Sequence, residues 1–269
     1  MHIRPPAVAG MFYPDDGAVL AREIRGYLAA VPARQASTLA PKVLIVPHAG
    51  YIYSGAVAAC AYARLAPVRA TIRRVVLLGP AHRVPIRGLA LPVAEAYATP
   101  LGSVRIDAEG AAAALQLPQV TASDVAHNLE HSLEVQVPFL QSVLDDFTLL
   151  PFAVGAATPA QVAEVLDLLW GGPETLILIS SDLSHFHAYA AAQGIDRGTV
   201  ETILACEPTL DHEQACGATP INGLLLSAKR RGMKIELLDL RNSGDTAGDR
   251  TRVVGYAAFA LSEPAHEQR

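Results

Sequence analysis

The run KVLIVPHAGY, residues 42–51, decides the fold. Its apolar part, Val43-Leu44-Ile45-Val46, has the length of a strand and shows no polar alternation, which is how a strand buried on both faces reads. Proline, histidine and glycine end it at once, and a helical pattern follows from Ser54 to Leu65. The arrangement recurs twice. VVLL (75–78) runs into Gly79-Pro80-Ala81-His82, and TLILI (175–179) runs into Ser180-Ser181-Asp182-Leu183-Ser184-His185.

Around these anchors, short apolar runs alternate with helical patterns, the signature of a layered α/β sheet. Strands are predicted at Lys42–Val46, Arg74–Leu78, Phe147–Val154, Thr175–Ile179, Lys234–Leu240 and Arg252–Leu261. Helices are predicted at Ser54–Leu65, Asp107–Leu115, His131–Leu144, Pro159–Trp170, Ala188–Ala205 and Pro220–Arg230, after an N-terminal helix and a loop from Val31 to Pro41. Pro138 should kink or delay its helix, whereas Thr219-Pro220 reads as an N-cap followed by proline at the first helical position. The expected fold class is α/β: one domain over 1–269, with a central, mostly parallel or mixed sheet flanked by helices.

Composition narrows the functional classes. The chain has 269 residues, 51% of them apolar and 17% charged, with a net charge of −5 and no block of like charge. Such a surface does not attract a nucleic-acid backbone or an anionic membrane, so neither partner is expected. No apolar run reaches the roughly 18 residues of a membrane helix, and the opening MHIRPPAVAG lacks the apolar stretch of a secretory signal. Three cysteines without a C-x-x-C pair fit a reduced, cytoplasmic chain.

The chemistry collects at the strand ends. In open α/β sheets the carboxyl ends of the strands form one edge, and ligands bind in the crevice there. His48, His82 and His185, the last with Asp182, reach that edge from three strands and can converge on one point. Cys216 precedes the helix that Thr219 is expected to cap, where the helix N-terminus favours thiolate, the metal-binding form. Cys60 and Cys206 read as inert. His127, His131 and Glu134 would share one face of a continuous helix, a rival metal site, although His131 with Glu130 reads more naturally as a hydrogen-bonding or proton-transfer group in the main cleft. The Gly/Asp-rich segment 242–250 lacks the lysine and helix of a phosphate-binding loop and reads as a structured turn, with a lid over the cleft as the alternative.

These residues resemble the Memo family nearly end to end. The matching pieces are Arg4 with Ala9-Gly10-Met11-Phe12-Tyr13-Pro14, Pro47-His48-Ala49-Gly50-Tyr51 and Leu78-Gly79-Pro80-Ala81-His82. Glu130-His131-Ser132-Leu133-Glu134, Ser180 to His185, Cys216-Gly217 and Val253-Val254-Gly255-Tyr256-Ala257 complete the series. The resemblance implies a fold similar to the class III extradiol ring-cleavage dioxygenases. It places His48 and His82 on the two metal-binding histidines, Cys216 where those enzymes carry a carboxylate, His185 on the catalytic acid/base and Asp182 near the metal. It also implies one transition-metal ion, Fe(II) or copper ahead of zinc, with redox-linked roles. For prokaryotic members it implies association with radical-SAM and AMMECR-type proteins. Exchanging carboxylate for thiolate softens the site, so ring cleavage does not transfer with the fold. Three readings stand: a dioxygenase-like redox protein acting on a small molecule, a non-catalytic module holding metal or a peptide, and a zinc hydrolase.

Overall fold

The computed structural model describes residues 2–32 and 40–264, so residues 33–39 of the expected 31–41 loop lie outside it. The chain opens with β1 (Ile3–Arg4) and α1 (Gly17–Ala29), followed by β2 (Val43–Val46), α2 (Tyr51–Tyr62), a 3-10 segment (Ala63–Val68) and β3 (Arg74–Pro80). Next come β4 (Leu89–Leu91), β5 (Ala96–Thr99), β6 (Gly102–Arg105), α3 (Ala108–Ala114) and β7 (Val120–Ala122). Short helices α4 (Asp124–His127), α5 (His131–Glu134) and α6 (Val137–Val143) lead into β8 (Thr148–Val154). Then follow α7 (Pro159–Leu169), β9 (Thr175–Ser180), β10 (His185–His187), α8 (Tyr189–Leu204) and α9 (Ala218–Arg231). β11 (Lys234–Asn242), α10 (Ser243–Thr246) and β12 (Val253–Ser262) close the chain.

The main sheet has the order β10-β12-β2-β9-β3-β8-β4-β7, with β11 also paired to β12. β2, β9, β3 and β8 run parallel. β12 and β4 flank them antiparallel, so the sheet is mixed, as expected. β1, β5 and β6 form a separate small sheet.

Period-two alternation sends neighbouring side chains of the central strands to opposite faces. Leu44, Val46, Val75, Leu77, Leu176 and Leu178 join one core with Leu20 and Ile24 of α1, Tyr62 of α2 and Phe139 of α6. Val43, Ile45, Val76, Leu78, Ile177 and Ile179 join the other with α7, α8 and α9. Helices on both faces explain why these strands are apolar at every position.

Two helix expectations are corrected. The predicted His131–Leu144 helix is split into α5 and α6. Pro138 has no N–H to give the carbonyl of residue 134, so the helical ladder fails there and restarts with proline in its first turn. The cap of α9 is Gly217 rather than Thr219, and Pro220 still sits in the first turn, where its missing N–H costs nothing. The 242–250 segment is a structured turn: Asn242 and Asp245 form a capping box around α10.

Candidate metal centre

His48 follows β2, His82 follows β3 and Asp182 follows β9, so three adjacent parallel strands deliver them to one edge. The structure adds His131, the first residue of α5. The ligand atoms of His48, His82 and His131 lie within 4.8 Å of one another. Their ring centroids are 5.2 Å (His48–His82), 5.4 Å (His48–His131) and 4.7 Å (His82–His131) apart. Cys216 Sγ lies 3.3 Å from His48 Nε2. Of the expected trio, His48 stands beside both His82 and Cys216, but among the described residues the group whose ligand atoms all lie within 4.8 Å is His48, His82 and His131, and Cys216 is outside it.

Two glycines make these approaches possible. A Cβ on Gly217 would stand 2.6 Å from the Ser181 Cβ, so only glycine lets the chain carry Cys216 against the end of β9. A Cβ on Gly79 would stand 2.8 Å from Ser132 Oγ, so glycine there lets α5 bring His131 down onto β3.

The hydrogen bonds define which nitrogens face the cluster. His82 Nδ1 lies 2.9 Å from Glu130 Oε1, and a carboxylate accepts, so Nδ1 donates there and Nε2 is the nitrogen left for the cluster. Glu130 also accepts the backbone N–H groups of His82 and, at 2.9 Å, Ser132. Burial works against this carboxylate's charge, but the His82 ring and these N–H groups win and hold its pKa near 2. Among the described residues His131 Nδ1 has no hydrogen-bond partner, though Glu130 Oε1 lies 3.4 Å away, and Phe12 packs on its ring at 4.8 Å.

Burial lowers the pKa of His48, and the positive potentials of His82, His131 and His185 lower it further. Burial likewise takes His131 down to about 4. Imidazoles held neutral in one small space are the protonation state that a metal ion requires. Asp182 accepts the His48 backbone N–H at 2.7 Å, and burial raises its carboxyl to about 7 against that hydrogen bond.

The expectation of an acidic Cys216 is corrected. Burial, reinforced by the neighbouring Asp182, pushes its thiol up to about 12. The cysteine sits ahead of the α9 cap, and desolvation outweighs what the helix N-terminus supplies.

The rival set is corrected as well. His127 Nε2 bonds the Ala90 carbonyl at 2.8 Å, and its Nδ1 bonds the Tyr97 hydroxyl, so both nitrogens are taken. Glu134 is fully buried and receives Arg4, the Tyr13 hydroxyl and the N–H groups of Ala7 (2.8 Å) and Val8 (3.0 Å). Cys60 lies in the core against the Ala56 carbonyl and Asp239, and Cys206 bonds the Leu225 carbonyl. Neither cysteine joins the cluster.

Beside the cluster opens a cleft of about 610 Å³. His131, Asp182 and His185 line it together with Phe12, Tyr53, Phe186 and Tyr256. His185 is placed there by β10, which pairs with β12 through Val254. Burial lowers the His185 pKa, and His82 and His187 add to that against the ring's hydrogen bond to the Leu183 carbonyl. Ser243, Ala247, Gly248 and Asp249 from the 242–250 segment form one wall.

Comparisons with known proteins bear on the family and the fold. The family described as "Memo-like protein" matches residues 4–260. A "MEMO1 family protein" of Methanosarcina mazei is 36% identical over 97% of this chain and 100% of its own. One from Archaeoglobus fulgidus is 35% identical over 96% and 99%, and one from Aquifex aeolicus 36% over 95% and 98%. The crystal structure of an uncharacterized protein from Escherichia coli K12 shares the fold, with a TM-score of 0.50 and 13% identity over 80% of this chain and 98% of that one.

Proposed function

The chain belongs to the Memo family, and on that premise we propose that it holds one transition-metal ion through His48, His82 and Cys216, with His131 as a further imidazole. The observation that carries this reading is the set of three imidazoles whose ligand atoms lie within 4.8 Å of one another, with His82 Nδ1 already committed to Glu130. A carboxylate behind a ligating histidine orients the ring and raises its basicity. The thiol beside His48 releases its proton when a cation binds, and a set of nitrogens with one thiolate favours iron or copper, with zinc compatible.

When bound, the ion would supply redox, dioxygenase-like chemistry to a small molecule in the cleft. His185 is the proposed proton-transfer group there, and Asp182 holds the His48 backbone and a second proton position beside it. The site favours a reduced, cytoplasmic setting, since Cys60, Cys206 and Cys216 are free thiols. Among the described residues no helix is long and apolar enough to cross a membrane.

Elemental analysis of anaerobically purified wild type, Cys216→Ser and His185→Ala tests the assignment. Iron or copper near one ion per chain in wild type and His185→Ala, with strong loss in Cys216→Ser, is the expected result. Equal metal in wild type and Cys216→Ser removes Cys216 from the ligand set.

A second reading has its own observation. Met11 (72% exposed), Ile52 (66%) and Phe186 (60%) are exposed apolar side chains, and Phe186 lines the cleft itself. Phe186 at the cleft, with Met11 and Ile52 next in sequence to its lining residues Phe12 and Tyr53, suits a peptide or a maturation partner, with AMMECR-type and radical-SAM proteins as the candidates. A stable complex recovered from source cells, together with no metal in the isolated protein, would favour it.

A further inference from the structure

A neutral imidazole carries one N–H, and the partner of one nitrogen decides whether the other is free to bind a metal. For His82 the partner is an anion, Glu130, and the outcome is plain. For His48 the partner is a hydroxyl: Nδ1 lies 2.9 Å from Ser180 Oγ, and a hydroxyl can donate or accept. Which of the two it does follows from its other neighbours.

Ser180 Oγ has one hydrogen and two lone pairs. The hydrogen goes to the Ser132 carbonyl at 2.6 Å, a group that only accepts. One lone pair takes an N–H from Gln136 Nε2 at 2.8 Å. The Gln136 amide is oriented in turn: Nε2 also donates to the Pro47 carbonyl at 2.9 Å, and Oε1 accepts from the Tyr62 hydroxyl at 2.7 Å. Flipping the amide would set its oxygen against the Pro47 carbonyl oxygen. The remaining lone pair of Ser180 is therefore available to His48, which must supply the hydrogen from Nδ1.

We propose that Ser180 is a positioning residue that sets the tautomer of His48, with Gln136 holding the Ser180 hydroxyl in its accepting orientation, so that Nε2 of His48 faces the cluster unprotonated. The role toward a metal rests on the reading of His48 as a ligand; the tautomer assignment does not. Every member of the relay is buried: Tyr62, Ser180, Gln136 and His48 are 0%, 0%, 1% and 2% exposed, so water does not substitute for a missing partner. The break between α5 and α6 that Pro138 imposes is what places Gln136 between α2 and β9. With Nδ1–H on Ser180, His48 Nε2 can accept the Cys216 S–H from 3.3 Å, an alternative to the Asp182 carbonyl at 3.6 Å.

Ring nitrogen shifts of His48 in metal-free, ¹⁵N-labelled protein test the proposal directly. The expected wild-type spectrum shows Nδ1 protonated and Nε2 bare, and this measurement needs no variant to fold. In Ser180→Ala the His48 signals should move toward the Nε2–H form while those of His82 stay put. Zn(II) affinity, measured by chelator competition, should fall about 10–100-fold. Ser180→Thr, which keeps the hydroxyl, should recover both. Thr199→Val, which deletes an equally buried hydroxyl bonded within its own helix, should change neither. An Nε2–H tautomer in wild type, or an unchanged tautomer in Ser180→Ala, overturns the proposal. A changed tautomer with unchanged Zn(II) affinity overturns its role toward the metal. Absence of Zn(II) binding in wild type, with the expected tautomers, refutes the metal reading and leaves the assignment of the His48 tautomer supported.

Discussion

Glu134→Gln is the perturbation that most directly probes how the N-terminal segment is tied to the site. Glu134 and Arg4 are 0% and 2% exposed, and their side chains form a buried ion pair. The Arg4 guanidinium also donates to the carbonyls of His127 (2.8 Å) and Glu130 (2.9 Å), so it cannot swing out to solvent when its counter-charge is removed. The glutamine would in addition turn an NH₂ toward donors that now point at a carboxylate, namely the Ala7 and Val8 N–H groups. Breaking a buried pair by neutralising one partner costs about 3–5 kcal/mol. At about 2.1 cal/mol/K per residue, a chain of 269 residues unfolds with roughly 0.56 kcal/mol/K. The melting midpoint should therefore drop by roughly 5–9 °C. Asp145→Asn, which breaks the exposed pair with Arg69, is the control and should cost about 0–1 kcal/mol, or less than roughly 2 °C. Because Phe12 packs on the His131 ring, loosening the segment should also weaken metal binding. Calorimetric melting of metal-free protein is the assay. A drop in Glu134→Gln no larger than in the surface control would refute the reasoning, because it would mean that Arg4 finds solvent or another acceptor.

Much of the architecture was legible because both faces of the sheet are covered. Apolar runs such as Val43–Val46 and Thr175–Ile179 have a single physical explanation once helical patterns alternate with them, and the ends of the observed strands fall within two residues of the predicted ones. His48, His82, Asp182 and His185 could be placed because a polar side chain directly after such a run must emerge at the sheet edge. The misses have a common cause. β4, β5, β6 and β7 are three or four residues long, and β1 only two, too short for any period to register. The roles of Arg4 and Glu134 depend on a contact across 130 positions that no local pattern carries. Ser180 and Gln136 read as ordinary polar residues; the one available signal was a serine closing an otherwise apolar strand. The pKa expectation for Cys216 failed for a related reason: sequence shows a nearby helix start but not the desolvation that overrides it.

The remaining predictions concern the cleft and the pH response. Gly217→Ala should cost about 1–3 kcal/mol by overpacking Ser181 and should weaken metal binding by displacing Cys216. Gly198→Ala, whose Cβ meets nothing within 4 Å, should be neutral or gain up to about 1 kcal/mol, and equal behaviour of the two variants in urea melts would count against the clearance argument. Phe186 holds a left-handed φ of 62° while 60% exposed, a conformation that costs a non-glycine residue about 1–2 kcal/mol. Phe186→Gly should recover most of that, less about 0.5–1 kcal/mol for the lost stacking of Arg252. A clear drop in its melting midpoint would show the strain to be absent. His127 should dominate one part of the acid response. Burial takes its pKa to about 4 against an ordinary 6.5, and protonation would cost Nδ1 its role as acceptor for Tyr97. The unfolded chain therefore takes up a proton near pH 6.5 that the native protein refuses until near 4. Stability should fall as pH drops through that window, by about 2 kcal/mol from this group between pH 7 and 5. His48, His131 and His185 respond in the same direction in wild type and in His127→Gln alike, so the difference between the two urea-midpoint curves isolates His127. Wild type should lose stability more steeply than His127→Gln over this range; parallel curves would mean that His127 takes up its proton in the native protein as readily as in the unfolded chain.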